Sequence, residues 1–436
     1  MLQRRRGAPH VGEISPARKL YILAILAAVT ALAMMDRNIL SILLVPIKED
    51  LGLSDTALGL LTGTAFAVVY ATAAIPLARI ADIGDRRTLL ACSLAVWSAA
   101  TALSGLASSY AHLLLARIGV AAGEASANPA TTSMIADLYP SSRRATALGA
   151  ILVGLGFGVM FGAVFGGFLA QELGWRAAFF AVGIPGMALS VVIWLTVPEP
   201  ARSDGQGGAP KDDPESRTIL RAIRYMLRIP SFLNILSAKT FMQISSQASL
   251  IWFPAYLIRV HDLSLTETGL AYGLPIALAT VTAALVGGPI SDRLARGGPA
   301  GYVRFCVLSM LLSGPSAIAL TLAGSAGWAI VFVFVYGFTS ALNNAPSMAA
   351  ALAVVRPKMR GVMTAVVNFV YSLLGAGLGG LIVGFLNDQL TPRYGDEAIR
   401  YSLLVMPVAS TLAAVFYFFA SRQIDRDAKR AESVAF

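Results

Sequence analysis

Apolar residues in this chain come in runs of about 20 or more, long enough for a helix to cross roughly 30 Å of hydrocarbon. Twelve such runs follow one another along 436 residues. That recurrence leaves few folds open. Inside a bilayer no water satisfies the peptide groups, so a spanning segment must be a helix or part of a closed barrel. The runs are too long for barrel strands, and they predict helices over roughly 20–48, 57–80, 88–107, 110–137, 145–171, 175–197, 231–260, 266–291, 302–324, 327–353, 361–388 and 400–422. Several links are only a few residues long, as between Gly324 and Gly327, and short links force antiparallel neighbours. The expected class is an all-α membrane protein.

Composition supports the same class and removes others. Hydrophobic residues make up 56% of the chain and charged ones 13%, about half the ~25% of a soluble domain. A net charge of +10 points to nucleic acid in a soluble protein. Here the basic residues gather in links on one side of the helices, so no nucleic-acid partner is expected. Arg4, Arg5, Arg6, Arg18 and Lys19 before an apolar run resemble a signal peptide, but the run passes Asp36 and Arg37 and reaches Val45. That is too long for a signal core, and it reads as a first spanning helix. Cys92 and Cys306 fall within apolar runs and read as small buried hydrophobes. His10, His112 and His261 sit at ends and links. There is no metal-ligand cluster, phosphate-binding glycine loop or nucleophile arrangement, so neither a cofactor nor an enzymatic or ATP-driven activity is expected.

Residues 199–230 interrupt the pattern. Pro198-Glu-Pro200 ends the sixth run, and a stretch with Gly205, Gly207, Gly208 and Pro210 follows. From Ser216 to Arg228, basic residues Arg217, Arg221, Arg224 and Arg228 recur at helical spacing. That pattern predicts an amphipathic helix lying on an anionic membrane surface. The chain thus divides into 1–198, a linker 199–230, and 231–436. With both termini on one side, that side holds most of the Lys and Arg. The other has Lys48, Arg176, Arg259, Arg393 and Arg400. The positive-inside bias places both termini and the linker in the cytoplasm. The absence of an Asn-x-Ser/Thr site favours a bacterial plasma membrane.

The two large segments repeat one another. At an offset of 210, Ser54, Gly59, Leu60, Gly63 and Asp82 meet Ser264, Gly269, Leu270, Gly273 and Asp292. At an offset of 217, Pro129, Pro140, Arg143, Gly158, Gly162 and Gly167 meet Pro346, Pro357, Arg360, Gly375, Gly379 and Gly384. The prediction is two pseudo-symmetric six-helix bundles related by an axis along the membrane normal, with a substrate path between them. The spaced glycines allow close backbone approach, either inside a bundle or at the seam.

Gly288-Pro-Ile-Ser-Asp292-Arg293 resembles the cytoplasmic loop motif of the major facilitator superfamily. A degraded copy, Ala78-Arg-Ile-Ala-Asp82-Ile-Gly-Asp85-Arg86-Arg87, follows the second run, and Gly174-Trp175-Arg176 with Phe179 resembles the junction between the fifth and sixth helices. Within that superfamily the chain is similar to the spinster-type lipid transporters. The likeness rests on Asp36-Arg37, Gly59-Leu60-Leu61, Arg117 with Gly123-Glu124-Ala125-Ser126, and Ile135-Ala136-Asp137-Leu138, with Ala121 where glycine is usual. The resemblance implies a major facilitator fold and alternating access. Its implied substrate is an amphiphilic lipid such as a lysophospholipid or sphingoid phosphate, carried by a monomer among membrane lipids. It also implies a cytoplasmic gate. Asp82 would face the start of the eleventh helix near Gly361, Asp292 the start of the fifth near Arg144, with Arg86, Arg87 and Arg293 beside them.

Charges inside the runs carry the functional expectation. A charged group at mid-membrane costs a few kcal/mol or more and marks a substrate or proton path when it is kept. Asp36, Arg37, Arg117 and Glu124 are such groups, and their repeat partners are Ser246, Gln247, Phe334 and Ala341, so symmetry does not require them. Arg117 and Glu124 lie two turns apart on one face, about 10 Å along the axis. Arg117 is expected to pair with Asp36 or Glu124 until a proton replaces it, freeing the arginine for an anionic substrate. A static ion network clamping the first helix to the fourth is the competing reading. Lys239, Asn343 and Asn344 are candidates for the cavity wall from the second half, as are Phe66, Tyr70, Trp252, Phe253 and Tyr256. An exporter of drugs or small organic anions, and a non-transporting sensor, are the alternative functions.

Overall fold

The computed structural model describes residues 15–200, 215–356 and 359–433, which are helical almost throughout, with no strand among them. Arg4, Arg5 and Arg6, the glycine-rich stretch after Pro200, and Pro357 lie outside the described residues. The first six long helices are α1 (Pro16–Ile42, continued by Leu44–Leu51), α2 (Asp55–Ile83), α3 (Arg86–Ser104), α4 (Tyr110–Glu124 and Ala127–Leu138), α5 (Ser141–Leu173) and α6 (Trp175–Thr196). The last six are α7 (Pro230–His261), α8 (Leu265–Leu294), α9 (Ala300–Thr321), α10 (Ala326–Ala341 and Asn344–Ala353), α11 (Arg360–Val370, Tyr371–Ala376 and Gly377–Tyr394) and α12 (Val405–Ser433). Among the described residues, nine helical stretches are long and apolar enough to cross a membrane, the last running from Arg360 to Ala431 through both α11 and α12. The two helices left out are α4 and α7. α4 is broken and carries Arg117 and Glu124; α7 carries Lys239, Gln243 and Gln247.

The breaks have a local cause. Proline has no N–H and crowds the carbonyl four residues earlier. Pro129 and Pro346 therefore disrupt the helix around Ala125 and Leu342, where α4 and α10 are interrupted. The repeat writes the same kink into both halves. Two wider π turns, Leu60–Thr64 in α2 and Tyr371–Ala376 in α11, have no such counterparts and face each other across the middle of the molecule.

Within the first six helices α1 packs on α5, and α3 on α4 and α6; within the last six α7 packs on α12, and α9 on α10 and α12. The two sets meet chiefly where α5 lies against α8 and α2 against α11. Lipid gives helices no hydrophobic reason to associate, so close approach of backbones carries the packing. A Cβ on Gly158 or Gly162 would overlap Ala31 or Met35 of α1, and one on Gly375 or Gly379 would overlap Gln243 or Ile244 of α7. Gly167 and Gly384 serve the seam instead. Added side chains there would strike the carbonyls of Leu265 and Asp55, which are themselves repeat mates.

The linker helix, Glu215–Met226, differs from the expectation of a helix resting on lipid alone. Ala222 and Met226 are buried with Phe232, Val354, Met363 and Val367 of the last six helices, while Arg221 and Arg224 are exposed. The apolar face found a protein partner because the helix leads into α7, which starts at Pro230, within a few residues. The end of the molecule that carries this helix and the start of α1 is called the linker face below, and the other end the far face.

Candidate functional site

Asp36 and Arg37 project from α1 toward α4, where Arg117 lies two turns before Glu124, the last residue ahead of the break. Arg117 Nη1 stands 3.5 Å from Asp36 Oδ1. Arg37 Nε donates to Glu124 Oε2 at 2.8 Å, and its Nη2 lies 2.6 Å from the same oxygen. The four charges thus form two pairs: Asp36 reaches Arg117 as expected, whereas Glu124 is paired by Arg37. Two turns of α4 exceed what one guanidinium spans, and the long side chain of Arg37 takes the second carboxylate. Asp36, Arg117 and Glu124 are 1%, 3% and 1% exposed, whereas the Arg37 side chain keeps 32% of its surface. Both guanidinium groups lie over the Phe66 ring, at 4.8 Å for Arg37 and 5.3 Å for Arg117, and Arg37 is also 5.0 Å from the Tyr70 ring. Such contacts favour a desolvated cation by about 2 kcal/mol.

These cations border a central cavity of about 220 Å³. Arg37, Arg117, Phe66 and Tyr70 line it from the first six helices, and Gln247, Leu250 and Ser372 from the last six. The carboxylates sit behind the cations. Both oxygens of Asp36, and Glu124 Oε1, accept no hydrogen bond. Of the aromatic candidates, Phe66 and Tyr70 reach the cavity, while Trp252, Phe253 and Tyr256 are packed in the core.

The residues expected to form a gate at the linker face are divided between buried and exposed positions. Arg86 is buried and turned into the first six helices: it pairs with Asp137, donates to Glu199 Oε1 at 2.6 Å, and donates to the Pro200 carbonyl at 2.7 Å. It ties the start of α3 to the ends of α4 and α6. Arg87 pairs with Asp85 at 3.5 Å. Asp82 and Arg293 are exposed in the last turns of α2 and α8. Asp292 accepts from the Tyr302 hydroxyl of α9 at 2.9 Å. Arg144 donates to the Tyr139 and Ala136 carbonyls of its own half. A Cβ at Gly361 would have nothing within 4 Å.

A lock at the far face was not foreseen. Asp55, wholly buried at the start of α2, takes both Nη atoms of Arg259 at 2.5 and 2.9 Å and Lys48 at 2.8 Å. The Asp388 carboxylate of α11 accepts the N–H groups of Asp55 and Thr56 at 2.9 and 2.8 Å and the Thr56 hydroxyl at 2.5 Å. The other seam has the matching contact, with Gln171 Oε1 accepting the Thr266 N–H at 3.1 Å. Gln171 and Thr266 are the repeat mates of Asp388 and Thr56, so extending the offsets to these positions is the signal that could have found the lock. Deeper in, Thr64 donates to the Gly377 carbonyl at 2.6 Å.

Lys239 and Asn343 are buried, with hydrogen bonds to Ser347 of α10 and Tyr417 of α12, and do not form the cavity wall described above; Asn344 is exposed. No group of three or more His, Cys, Asp or Glu that could hold a metal occurs among the described residues.

The sequence profile of the Major Facilitator Superfamily matches residues 26–380. An MFS-type efflux pump of Mycolicibacterium smegmatis is 31% identical over 96% of this chain and 96% of its own length. Protein spinster homolog 3 of Danio rerio is 26% identical over 97% of this chain and 89% of its own. The crystal structure of a bacterial homologue of the human lysosomal transporter Spinster, inward-facing and unoccupied, matches with a TM-score of 0.84 at 27% identity. The match covers 95% of this chain and 99% of that one.

Proposed function

The chain belongs to the Major Facilitator Superfamily, and from that premise we propose that it is a proton-coupled carrier of an anionic amphiphile, of the lysophospholipid or sphingoid-phosphate kind. The observation that carries the reading is the arrangement of the two buried ion pairs, with cations facing the central cavity and carboxylates behind them. An arginine keeps its charge under all ordinary conditions, so only the carboxylates can exchange protons. A proton on Glu124 releases Arg37, and a proton on Asp36 releases Arg117. Each freed guanidinium already borders the cavity, and a phosphate or carboxylate head group suits its planar donors. Carboxylate and head group are then alternative partners of one cation, which links the movement of substrate to that of protons.

An acyl tail finds apolar surface nearby. A cleft of about 800 Å³ between α5, α8 and α10 is lined by side chains such as Phe157, Met160, Leu274, Leu278 and Phe334. The two halves are bolted together at the far face by Asp55, Arg259, Lys48 and Asp388, so the cavity is read as accessible from the linker face. In this reading that face is cytoplasmic, with both termini, in a plasma membrane, and a single chain is the working unit. The likeness to a mycobacterial efflux pump favours a second reading on the same site, export of drugs or small organic anions.

Flux in proteoliposomes, with and without a pH gradient, tests the mechanism. Wild type should accelerate uptake of labelled lysolipid under the gradient. Glu124→Gln and Asp36→Asn should lose gradient-driven uptake by at least tenfold while keeping substrate exchange. Unaltered proton-driven uptake in both variants rules the mechanism out, and flux of small amphiphiles without flux of lysolipid selects the second reading.

A further inference from the structure

Lys239 is the one intramembrane cation of the last six helices that the mechanism above does not use. It lies about 14 Å along α7 from its start at Pro230, and it is 7% exposed. Its Nζ donates to Ser347 Oγ at 2.9 Å and stands 5.6 Å from the centre of the Tyr371 ring. Among the described residues it forms no ion pair. Every other deeply buried cation here has a carboxylate: Arg86 has two and Arg117 has one. An ammonium without a counter-ion is costly to bury, and a hydrophobic side chain of similar length fits such a site at no loss. Packing therefore does not account for a lysine at this position.

The Ser347 hydroxyl accepts from Lys239 and donates to the Asn344 carbonyl at 3.0 Å, and Asn343 adds an uncommitted donor. Asn343 is fully buried; its Oδ1 accepts from the Tyr417 hydroxyl at 2.8 Å, and its Nδ2 has no partner. Asn343 and Ser347 share a face of α10, four residues apart. The group lies along α7 from the cavity, whose wall it does not itself form. Lys239, Gln243 and Gln247 stand at successive turns of α7, and Gln247 lines the cavity. Tyr371, whose ring covers Lys239, adjoins Ser372, which lines it too.

We propose that Lys239, Asn343 and Ser347 form an anion-binding subsite in the second half of the molecule, filled by the phosphate or carboxylate of a ligand that enters through the central cavity. The inference rests on the reading of that cavity as a path for anions, and it is independent of proton coupling. The anion can belong to a lipid head group or to a small free solute.

Equilibrium binding to the detergent-purified full chain, without any gradient, tests it. The probes are radiolabelled lysophosphatidic acid, glycerol 3-phosphate and, as an uncharged control, a monoacylglycerol of the same tail. Lys239→Met and Lys239→Gln should weaken lysophosphatidic acid at least tenfold and leave the monoacylglycerol unchanged, and Lys239→Arg should restore binding. If glycerol 3-phosphate binds with the same dependence on Lys239, the ligand source is a small solute; if only the lysolipid does, it is a lipid head. Equal affinity of wild type and both neutral variants for the anionic probes overturns the subsite. So does a parallel loss of the monoacylglycerol, or no anion binding by wild type. Failure here leaves the flux behaviour of Glu124→Gln untouched, so the two readings fail separately.

Discussion

Glu124 and Arg86 are both ionic residues held in the first six helices, and they answer substitution differently. Breaking a buried ion pair by truncating one partner costs about 3–5 kcal/mol, because a charge is left behind. Glu124→Ala strands Arg37, yet Arg37 is one-third exposed and can turn to the cavity. A fall of only a few degrees in melting temperature is expected, together with loss of proton-driven flux. Arg86→Met removes the buried cation that Asp137 and Glu199 share. It should lower the melting temperature more than Glu124→Ala does, while the protein that folds keeps its dependence on the pH gradient. Thermal unfolding and flux measured on the same preparations check the contrast. At this scale the sequence singled out Asp36, Arg37, Arg117 and Glu124, which the structure gathers beside one cavity, because a charge in hydrocarbon is expensive. It did not announce partners. Whether Arg37 or Arg117 reaches Glu124 depends on how α1 crosses α4, and no spacing along one chain segment contains that angle.

Helices show the same division. The runs 110–137 and 327–353 read as unbroken helices, yet Pro129 and Pro346 carried the signal for the interruptions of α4 and α10, since a missing N–H acts locally. The π turns of α2 and α11 left no such mark. They arise where two helices press together, with Thr64 of one reaching the Gly377 carbonyl of the other. A Cβ at Gly59 would overlap the Gly380 carbonyl at the same contact. Gly59→Val should therefore hold α2 and α11 apart. Transport is expected to fall at least tenfold. A cysteine replacing Ser41, which lines the cavity, should become reactive toward impermeant maleimide added from the far side. No gain in labelling would mean that the seam tolerates the larger residue. The linker helix is the opposite lesson. Its amphipathic pattern was plain, but an apolar face does not say whether lipid or protein covers it.

The repeat predicted two like halves, and packing of α5 on α8 and of α2 on α11 follows the offsets read from glycines. Invisible at that level was the balance between open and closed ends, which depends on contacts absent from either half alone. Moving a two-state equilibrium from 1:99 to 99:1 takes about 5.5 kcal/mol, and a buried pair accounts for about 3–5 kcal/mol when one partner is removed. Arg259→Met combined with Asp388→Asn should thus populate an arrangement open at the far face. Spin labels at Glu49 and Tyr394 should report a longer distance in the double variant; an unchanged distance distribution would show that the lock does not set the balance. The two matched seams are unequal, however. Asp388 clasps α2 with a full negative charge, reinforced by Asp55, Arg259 and Lys48, whereas Gln171 touches α8 with a neutral amide. Salt in the water outside would slacken one edge and leave its twin indifferent. A molecule fastened this way does not part like two equal jaws: it swings, with the uncharged edge as the door and the charged edge as the jamb that only the right bath can loosen.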